Sequence, residues 1–459
     1  MKFRSATCRR SPSDLLRIAA RRGFATFLVL WTIALAAVVL VAVQSITHKQ
    51  AAAGRNAVSR VRAYWAARAG IEAQIAVLAQ DNLSPDENSA TRVNDDMAAA
   101  AIGTLAQSSY AVRHFDGDNL KDGAADAHAR LNINLMSRES LVLLVLDDGI
   151  ADSVVDWIDE DEDTEENGAE IGAYQSLKFP YHPRNGAMRS LRELELVLNV
   201  QPRDVRGEDW NLNGLLDPNE NDGDLSYPPD NADGILDLGW SRYITAVSDD
   251  SGGPGYGFSG EPRLDLSTAS ASDVAQRTKI DQSQAEAILT YIESGGALGD
   301  LITSNLSTLN STGAGGTLLN GQQQAGAVAD LTDEQLGVVL DETYVPDELF
   351  LPNSGKLNIN TVDSKTLEYL SEMTIEVADA IIAERNATSG GFVRLTDLLR
   401  VPGMTREVLG ELYPYVEVKS QVFTATSRGR DEATGLEVEI TAVLDRSTIP
   451  VMIKDLNVK

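Results

Sequence analysis

The sequence is poor in the residues that most often carry chemistry. It has one cysteine, Cys8, and four histidines (His48, His114, His128, His182) among 459 residues. A disulfide framework and a cysteine-based zinc site are excluded, and a histidine-based metal site has little to draw on. Basic residues are also short: 39 Lys and Arg stand against 68 Asp and Glu, a net charge of −29. Such a surface repels phosphate, which argues against nucleic acid as a partner. The sequence has no G-x-S-x-G elbow and no phosphate-binding glycine loop, and its carboxylates have no partner His, Ser or Lys arrangement. No catalytic site is visible, and the chain is expected not to be an enzyme. Apolar material is not lacking. At 43% hydrophobic residues the chain can build real cores, and its length suggests two to four structural units.

One long hydrophobic run is present. Residues 24–43, FATFLVLWTIALAAVVLVAV, carry no charge, and at about 1.5 Å per residue they span one bilayer core as a helix. Seven bases and one acid precede the run, and a mostly acidic chain follows it. That asymmetry predicts a single pass with the N-terminus cytoplasmic and the bulk across the membrane. The junction Arg21-Arg22-Gly23-Phe24 resembles the processing site of type IV pilins and type II secretion pseudopilins. In that family prepilin peptidase cuts after the Gly and methylates the new N-terminus, here Phe24. Loss of the leader would remove Cys8 and leave a net charge of −35. Beyond the membrane, Val58, Val61, Tyr64, Ile71, Ile75 and Leu78 recur at helical spacing, which predicts that the helix continues until residues 82–85 end it. Most pilins carry Glu at the fifth mature position, whereas here that position is Leu28. An unpaired carboxylate in lipid is costly, so Leu suits a subunit with no partner above it.

The middle of the chain repeats. Arg130-LNIN recurs as Arg263-LDLS and Lys356-LNIN, followed by the segments ADSVVDWI, AEAILTYI and ADAIIAER. Each is then followed by a short leucine-bearing segment starting near Met188, Gly296 or Phe392. The unit reads as an extended entry, a capped helix, a second helix, a turn and a third helix, with caps at residues 134–137 and 360–363. It resembles the helix-hairpin-helix, or SAM-like, module, and the last copy is the best match. The hairpin candidate there, Val401-Pro402-Gly403-Met404, lacks the second glycine that lets backbone approach phosphate. A packing role is therefore expected, with a membrane-anchored DNA-uptake receptor as the alternative.

Leader, Leu28 and repeats together resemble the minor pseudopilin K family of the type II secretion system, the general secretion pathway protein K family. The resemblance implies an α+β fold: a long pilin-type helix, a small antiparallel β-sheet and a large inserted α-helical domain of such repeats. It also implies a place at the pseudopilus tip, nucleating and capping assembly for protein export. The implied partners are other minor pseudopilins, the major pseudopilin, the inner-membrane assembly platform and prepilin peptidase. The expected organisation is a leader over 1–23, the membrane and assembly helix over 24–80 and the start of the β-domain over 81–129. The first repeat with its acidic loops covers 130–248. Linkers with a diverged middle repeat cover 249–335, the last repeat 336–415 and closing strands 416–459. Residues 108–115, 416–429 and 436–446 alternate as strands do, while 249–260 and 303–325 read as flexible linkers.

The acidic loops are the one chemical feature. From Asp209 the sequence fits a calcium loop, with Asp209, Asn211, Asn213, Gly214, Asp217 and Glu220 in register and the carbonyl of Leu215 completing the set. A second half-site follows in Asn231, Asp233 and Asp237, with Gly234 at the turn and Asp230 or the Asp222/Asp224 pair substituting for Pro229 at its first position. Pro228-Pro229 forbids an EF-hand helix before it, so a calcium-stapled loop is expected, not a switch. Asp156, Asp159, Asp161, Asp163 and Glu170 form a further acidic run. Glu170 is its candidate ligand, because it lies in the resembled motif and members of that family bind calcium in the helical domain.

Overall fold

The computed structural model describes residues 12–116, 119–248, 254–312, 328–346, 355–371 and 373–459. Cys8 and residues 249–253 and 313–325 of the expected linkers lie outside them. The chain divides into two compact units, residues 1–62 and 63–459. Helix α1, Pro12–Leu83, runs for 72 residues and passes unbroken through Gly23 and Phe24. It is the one helix among the described residues long and apolar enough to cross a membrane, with Phe24, Leu28 and Trp31 exposed on its surface.

Within the second unit, α1 lies on a sheet. The buried face is Ala63, Ala67, Ile71, Gln74 and Leu78; of the stripe read from the sequence, Ile71 and Leu78 are buried and Tyr64 and Ile75 pack partly buried on the same core. Val58 and Val61 are more than half exposed. The reason is the sheet side of the contact. A Cβ on Gly429 would collide with the backbone of Ala63 and Ala67, and one on Gly70 would collide with Ser427 and Tyr110. Backbones this close leave room only for small side chains. Gln74 is buried but satisfied: its amide donates to Met97 O at 3.1 Å and accepts from Ala124 N at 3.2 Å.

After the short helix α2, Arg92–Ala99, come strands β1 (Ile102–Leu105), β2 (Ser108–Asp116), β3 (Asn119–Asp122) and β4 (Ala125–Asp126). The helical repeats then intervene, each opened and closed by two-residue strands. These are β5 (Leu131–Asn132) with β6 (Ile244–Thr245), β7 (Leu264–Asp265) with β8 (Thr343–Tyr344), and β9 (Leu357–Asn358) with β10 (Val416–Glu417). All three pairs are parallel. The chain returns to the sheet with β11 (Val422–Asp431), β12 (Glu437–Asp445) and β13 (Met452–Val458). The resulting antiparallel sheet runs β1-β2-β11-β12-β13, with β3 on β2 and β4 on β11. The protein is thus α+β, with a helical domain inserted into a sheet whose strands come from both ends of the insertion.

The repeat signature has a mechanical meaning. Asn132 accepts from Asn134 N at 3.0 Å, making a turn that aims the second amide. Asn134 then holds Met188 by both its N–H and its carbonyl, at 2.7 and 3.0 Å. Asn358 and Asn360 repeat this on Phe392, at 2.8 Å for both bonds. In the middle copy Asp265 keeps the turn by accepting from Ser267 N at 2.8 Å, but Ser267 has no amide to extend the tether. Ser137 and Asp363 cap the helices Arg138–Val145 and Ser364–Leu367 as expected. The third segments of the outer copies, Leu191–Leu196 and Leu395–Arg400, are 3-10 turns.

Four expectations need correction. The expected boundary between 335 and 336 falls inside the helix Asp333–Glu342, which leads into β8 and so closes the middle repeat. The strand read over 416–429 is two strands, because Val416 and Glu417 pair with Leu357 and Asn358 before the chain reaches the sheet. Residues 303–312 are not linker: they hold the helix Leu306–Thr312, and Leu306 and Leu309 are buried. Nor are residues 256–260, where Phe258 N donates to Asp341 at 2.7 Å and Ser259 N to Glu342 at 2.8 Å. One continuous core from Leu131 to Val418 joins all three repeats.

Candidate cation-binding loops

The loop from Gly207 is anchored to the sheet. Phe115 N donates to Gly214 O at 2.9 Å, and Thr426 Oγ1 to Asn213 O at 3.0 Å. Inside it, Asp209 accepts from Asn213 N at 3.0 Å and Gly214 N at 2.8 Å. Gly214 sits at φ +69°, the left-handed turn that the calcium-loop pattern requires. Glu220 accepts from Trp210 N and Asp217 N, both at 2.9 Å. Asp217 accepts from the amides of Asn211 at 2.7 Å and Asn213 at 3.2 Å, and is ion-paired with Arg428. Leu215 is buried, its N–H donating to Asn213 Oδ1 at 2.8 Å. The loop therefore brings Asp209, Asn211, Asn213, Asp217 and Glu220 together through hydrogen bonds.

This closure leaves two carboxyl groups in a dry setting. Asp209 and Glu220 are each 2% exposed. Burial pushes the Asp209 carboxyl up to about 6, although two backbone N–H groups and the Arg130 charge pull it back. Burial pushes Glu220 up to about 7, with the nearby Asp209 and Asp217 charges adding to it.

The second half-site is different in kind. Asp230 accepts from Gly223 N, Asp222 N and Ala232 N at 2.9, 3.1 and 2.7 Å. Burial would raise its carboxyl, but these bonds outweigh it and hold the group below the usual range. Asn231, Asp233 and Asp237 are exposed, and each accepts from the backbone two residues on. They serve as turn caps and are not gathered with the first loop's side chains.

Glu170 lies at a third place, opposite the C-terminal half of the helix Asp148–Ile158. Asp152 and Asp156 stand at i and i+4 on that helix, and Asp159, its C-cap, follows at i+7, a spacing that puts the three on one side. Arg138 pairs with Asp152 at 2.5 Å, and Asn167 donates to Asp152 from both backbone and side chain at 3.1 Å. Asp156 accepts from Glu165 N at 3.0 Å through one oxygen. Its other oxygen, Asp159 Oδ1 and both oxygens of Glu170 are buried with no hydrogen-bond partner. Burial raises all three carboxyl groups, and each is raised further by its acidic neighbours. A Cβ on Gly168 would collide with the Asp156 carboxylate, so glycine is required there. Asp156 and Asp159 were visible in the sequence as charges in a run. The i, i+4, i+7 spacing is the signal that marks them as a face.

Among the described residues no three Asp, Glu, His or Cys side chains converge closely enough to hold a metal as they stand. The donor chemistry fits a hard cation in two places, the Asp209–Glu220 loop and the Asp156–Asp159–Glu170 cluster. The orphaned oxygens favour the second.

Residues 111–207 match the family described as type II secretion system (T2SS), protein K, and residues 352–417 match the helix-hairpin-helix motif. The first match covers β2 and the first repeat through the start of the acidic loop. A crystal structure of the GspK-GspI-GspJ complex from the enterotoxigenic Escherichia coli Type 2 Secretion System aligns with 88% of this chain and 99% of that chain, at 12% identity and a TM-score of 0.45. No curated protein matches the chain.

Proposed function

We propose, from a chain whose residues 111–207 match the family described as type II secretion system (T2SS), protein K, that it is a minor pseudopilin located at the tip of the pseudopilus. Its role is structural: to nucleate and cap the polymer that drives protein export across the outer membrane. The observation that carries the reading is the coincidence of that domain with a single long apolar N-terminal helix and with a helical insertion in a β-sheet. The insertion is bulky, so a further subunit stacked above it would meet the repeats, and Leu28 needs no partner carboxylate or amine above it. The partners are then other minor pseudopilins, the major pseudopilin and the assembly platform, with the N-terminus cytoplasmic and the bulk periplasmic. Leader removal at Gly23-Phe24 by prepilin peptidase belongs to the same proposal.

Calcium is proposed as a structural ion. Asp156, Asp159 and Glu170 would hold one ion, and Asp209, Asp217 and Glu220 with Asn211, Asn213 and the Leu215 carbonyl a second. Bound calcium would supply the positive charge that buried carboxylates otherwise lack. Asp152, fixed by Arg138 and Asn167, stands beside Asp156 on the helix and gives the site its outer support.

N-terminal sequencing and intact mass of the protein recovered from its native membrane test the assembly reading. A chain starting at N-methylated Phe24 is expected. A chain starting at Met1 in cells with an active prepilin peptidase would sink it.

A further inference from the structure

The three repeats open with a basic residue in the same place, Arg130, Arg263 and Lys356, each one position before the first parallel strand. Two of the three are matched from within the chain. Arg263 lies 3.9 Å from Asp341 and 3.7 Å from Glu417 in a buried cluster. The Lys356 ammonium sits over the Tyr413 ring, 4.0 Å from its centroid. Arg130 alone has no hydrogen bond and no ion pair among the described residues, although burial is strong enough to depress its guanidinium.

Arg130 lines a cavity of about 540 Å³ between β2, β3, α2 and the last repeat. Arg385 and Arg242 line it as well. Arg385 uses one nitrogen to hold the carbonyls of Ile359 and Val362 at 2.9 and 2.6 Å, and Arg242 lies 3.7 Å from Asp363. His114, also on the wall, is depressed by burial and brings no charge at neutral pH. The aspartates of the lining are already engaged. Asp116 pairs with Lys121 and Asp122 with Arg113. Asp126 accepts from Thr361, Ser420 and Asn358, and Asp363 from Thr366 N. Only Asp95, exposed on α2, is without such a bond.

We propose that this cavity binds a small carboxylic acid, its carboxylate gripped by the Arg130 guanidinium with Arg385 beside it. A guanidinium fork matches the two coplanar oxygens of a carboxylate. At neutral pH succinate and sulfate are both dianions, so the planar shape of the carboxylate and not its charge separates them, and the volume is that of a small-molecule site. Binding would tie the entry of the first repeat to the last repeat, since Arg130 precedes β5 and Arg385 belongs to the helix Ile375–Ala387.

The test uses the full chain in detergent, at fixed ionic strength and saturating calcium, with succinate and sulfate as probes. Succinate is expected to bind saturably at one site and to slow phenylglyoxal modification of Arg130, read by peptide mass, at least tenfold. Arg130→Lys, which keeps the charge and loses the fork, is expected to weaken succinate at least fivefold, and Arg130→Gln to abolish it. Absence of protection in the unmutated chain overturns the proposal whether or not the variants fold. So does unchanged succinate binding by Arg130→Gln. Protection by sulfate equal to that by succinate overturns the assignment to a carboxylic acid.

Discussion

Take the divalent cations away with EGTA and the buried acids of the first loop should make the protein more stable as pH falls from 7.5 to 5, the reverse of ordinary acid denaturation. Asp209 moves from 3.8 to about 6 and Glu220 from 4.5 to about 7. A raised carboxyl pKa means that the folded state binds more protons than the unfolded one between about pH 4 and 7, so stability is gained as pH drops through that window. Two units apiece, at about 1.4 kcal/mol per unit, give roughly 3 kcal/mol per group as an upper figure, and about half that after local relaxation. For a chain of this size that is a rise in Tm of a few degrees, on the order of 2 °C per kcal/mol. The groups facing the pair are Asp217, Arg428, Glu439, Arg130 and Lys459. Arg428, between Asp217 and Glu439, stays charged throughout. Asp152 runs the opposite way, since its Arg138 pairing holds it below the usual range and its stability is lost only below about pH 4, and the buried imidazoles of His114 and His128, also held below their usual range, offset part of the gain below about pH 6.5. Calcium competes with the protons, so its increment in Tm should be largest at pH 7.5 and nearly absent at pH 5. Differential scanning calorimetry with EGTA and with 2-fold steps of calcium reads both slopes, and Glu220→Gln should flatten the EGTA slope by about half. A Tm in EGTA that falls steadily from pH 7.5 to 5, or a calcium increment equal at both ends, would refute the reasoning.

Glu170→Gln combined with Asp156→Asn should relieve the unpaired buried charges, leaving stability in EGTA equal or higher by about 1–2 kcal/mol. The same variant should lose one calcium per chain by equilibrium dialysis. Gly429→Val should cost at least about 3 kcal/mol, because its side chain has no space against Ala63 and Ala67; chemical denaturation measures it, and a cost below 1 kcal/mol would mean the helix can lift from the sheet freely. Asn360→Ala should cost about 2 kcal/mol or more, since it strands the Phe392 N–H and carbonyl in a buried setting. Ser267→Ala in the middle copy should cost well under 1 kcal/mol in the same assay.

The parts of the fold that the sequence announces are those where side-chain identity does the positioning. The Asn pairs at 132/134 and 358/360 stand out because the first Asn accepts from the backbone N–H two residues on, and the second carries a donor and an acceptor on one planar amide that spans a single backbone residue. Leu141, Val154, Ala378 and Ile381 stand out because a helix buries residues at three and four. The contact of α1 with the sheet is hidden for the opposite reason. At its closest approach the face is Ala63, Ala67 and Gly70, so the backbone contact leaves no large residue there to notice and the eye is drawn to Val58 and Val61, whereas Ile71 and Leu78 farther along the same face are legible. The closing strands β6, β8 and β10 are two residues each, too short for any alternation to register. That is why the boundary expected between 335 and 336 cuts the helix Asp333–Glu342. At the acidic loops the sequence gives residue types but not their partners. Nothing in the order of residues places Arg428 beside Asp217, 211 residues away.

Reading the three repeats against one another goes further than reading each alone. The same frame, basic residue then two-residue strand then cap, is met by three different solutions to a buried positive charge. The middle copy lost the amide tether at Ser267, yet its Arg263, Asp341 and the last repeat's Glu417 and Lys419 form a buried charged cluster, with Lys419 3.2 Å from Asp341. That cluster links the middle copy to the last in place of the missing tether, which explains how a diverged unit stays within a single continuous core. By the same logic the first copy, which kept both asparagines, is free to leave its basic residue without a direct ion pair, its charge felt only at longer range by Asp209, Asp116, Asp126 and Asp363. Arg130 is therefore the position where the repeat's conserved geometry has been released from a packing duty, and a released charge in a cavity is what a ligand site requires.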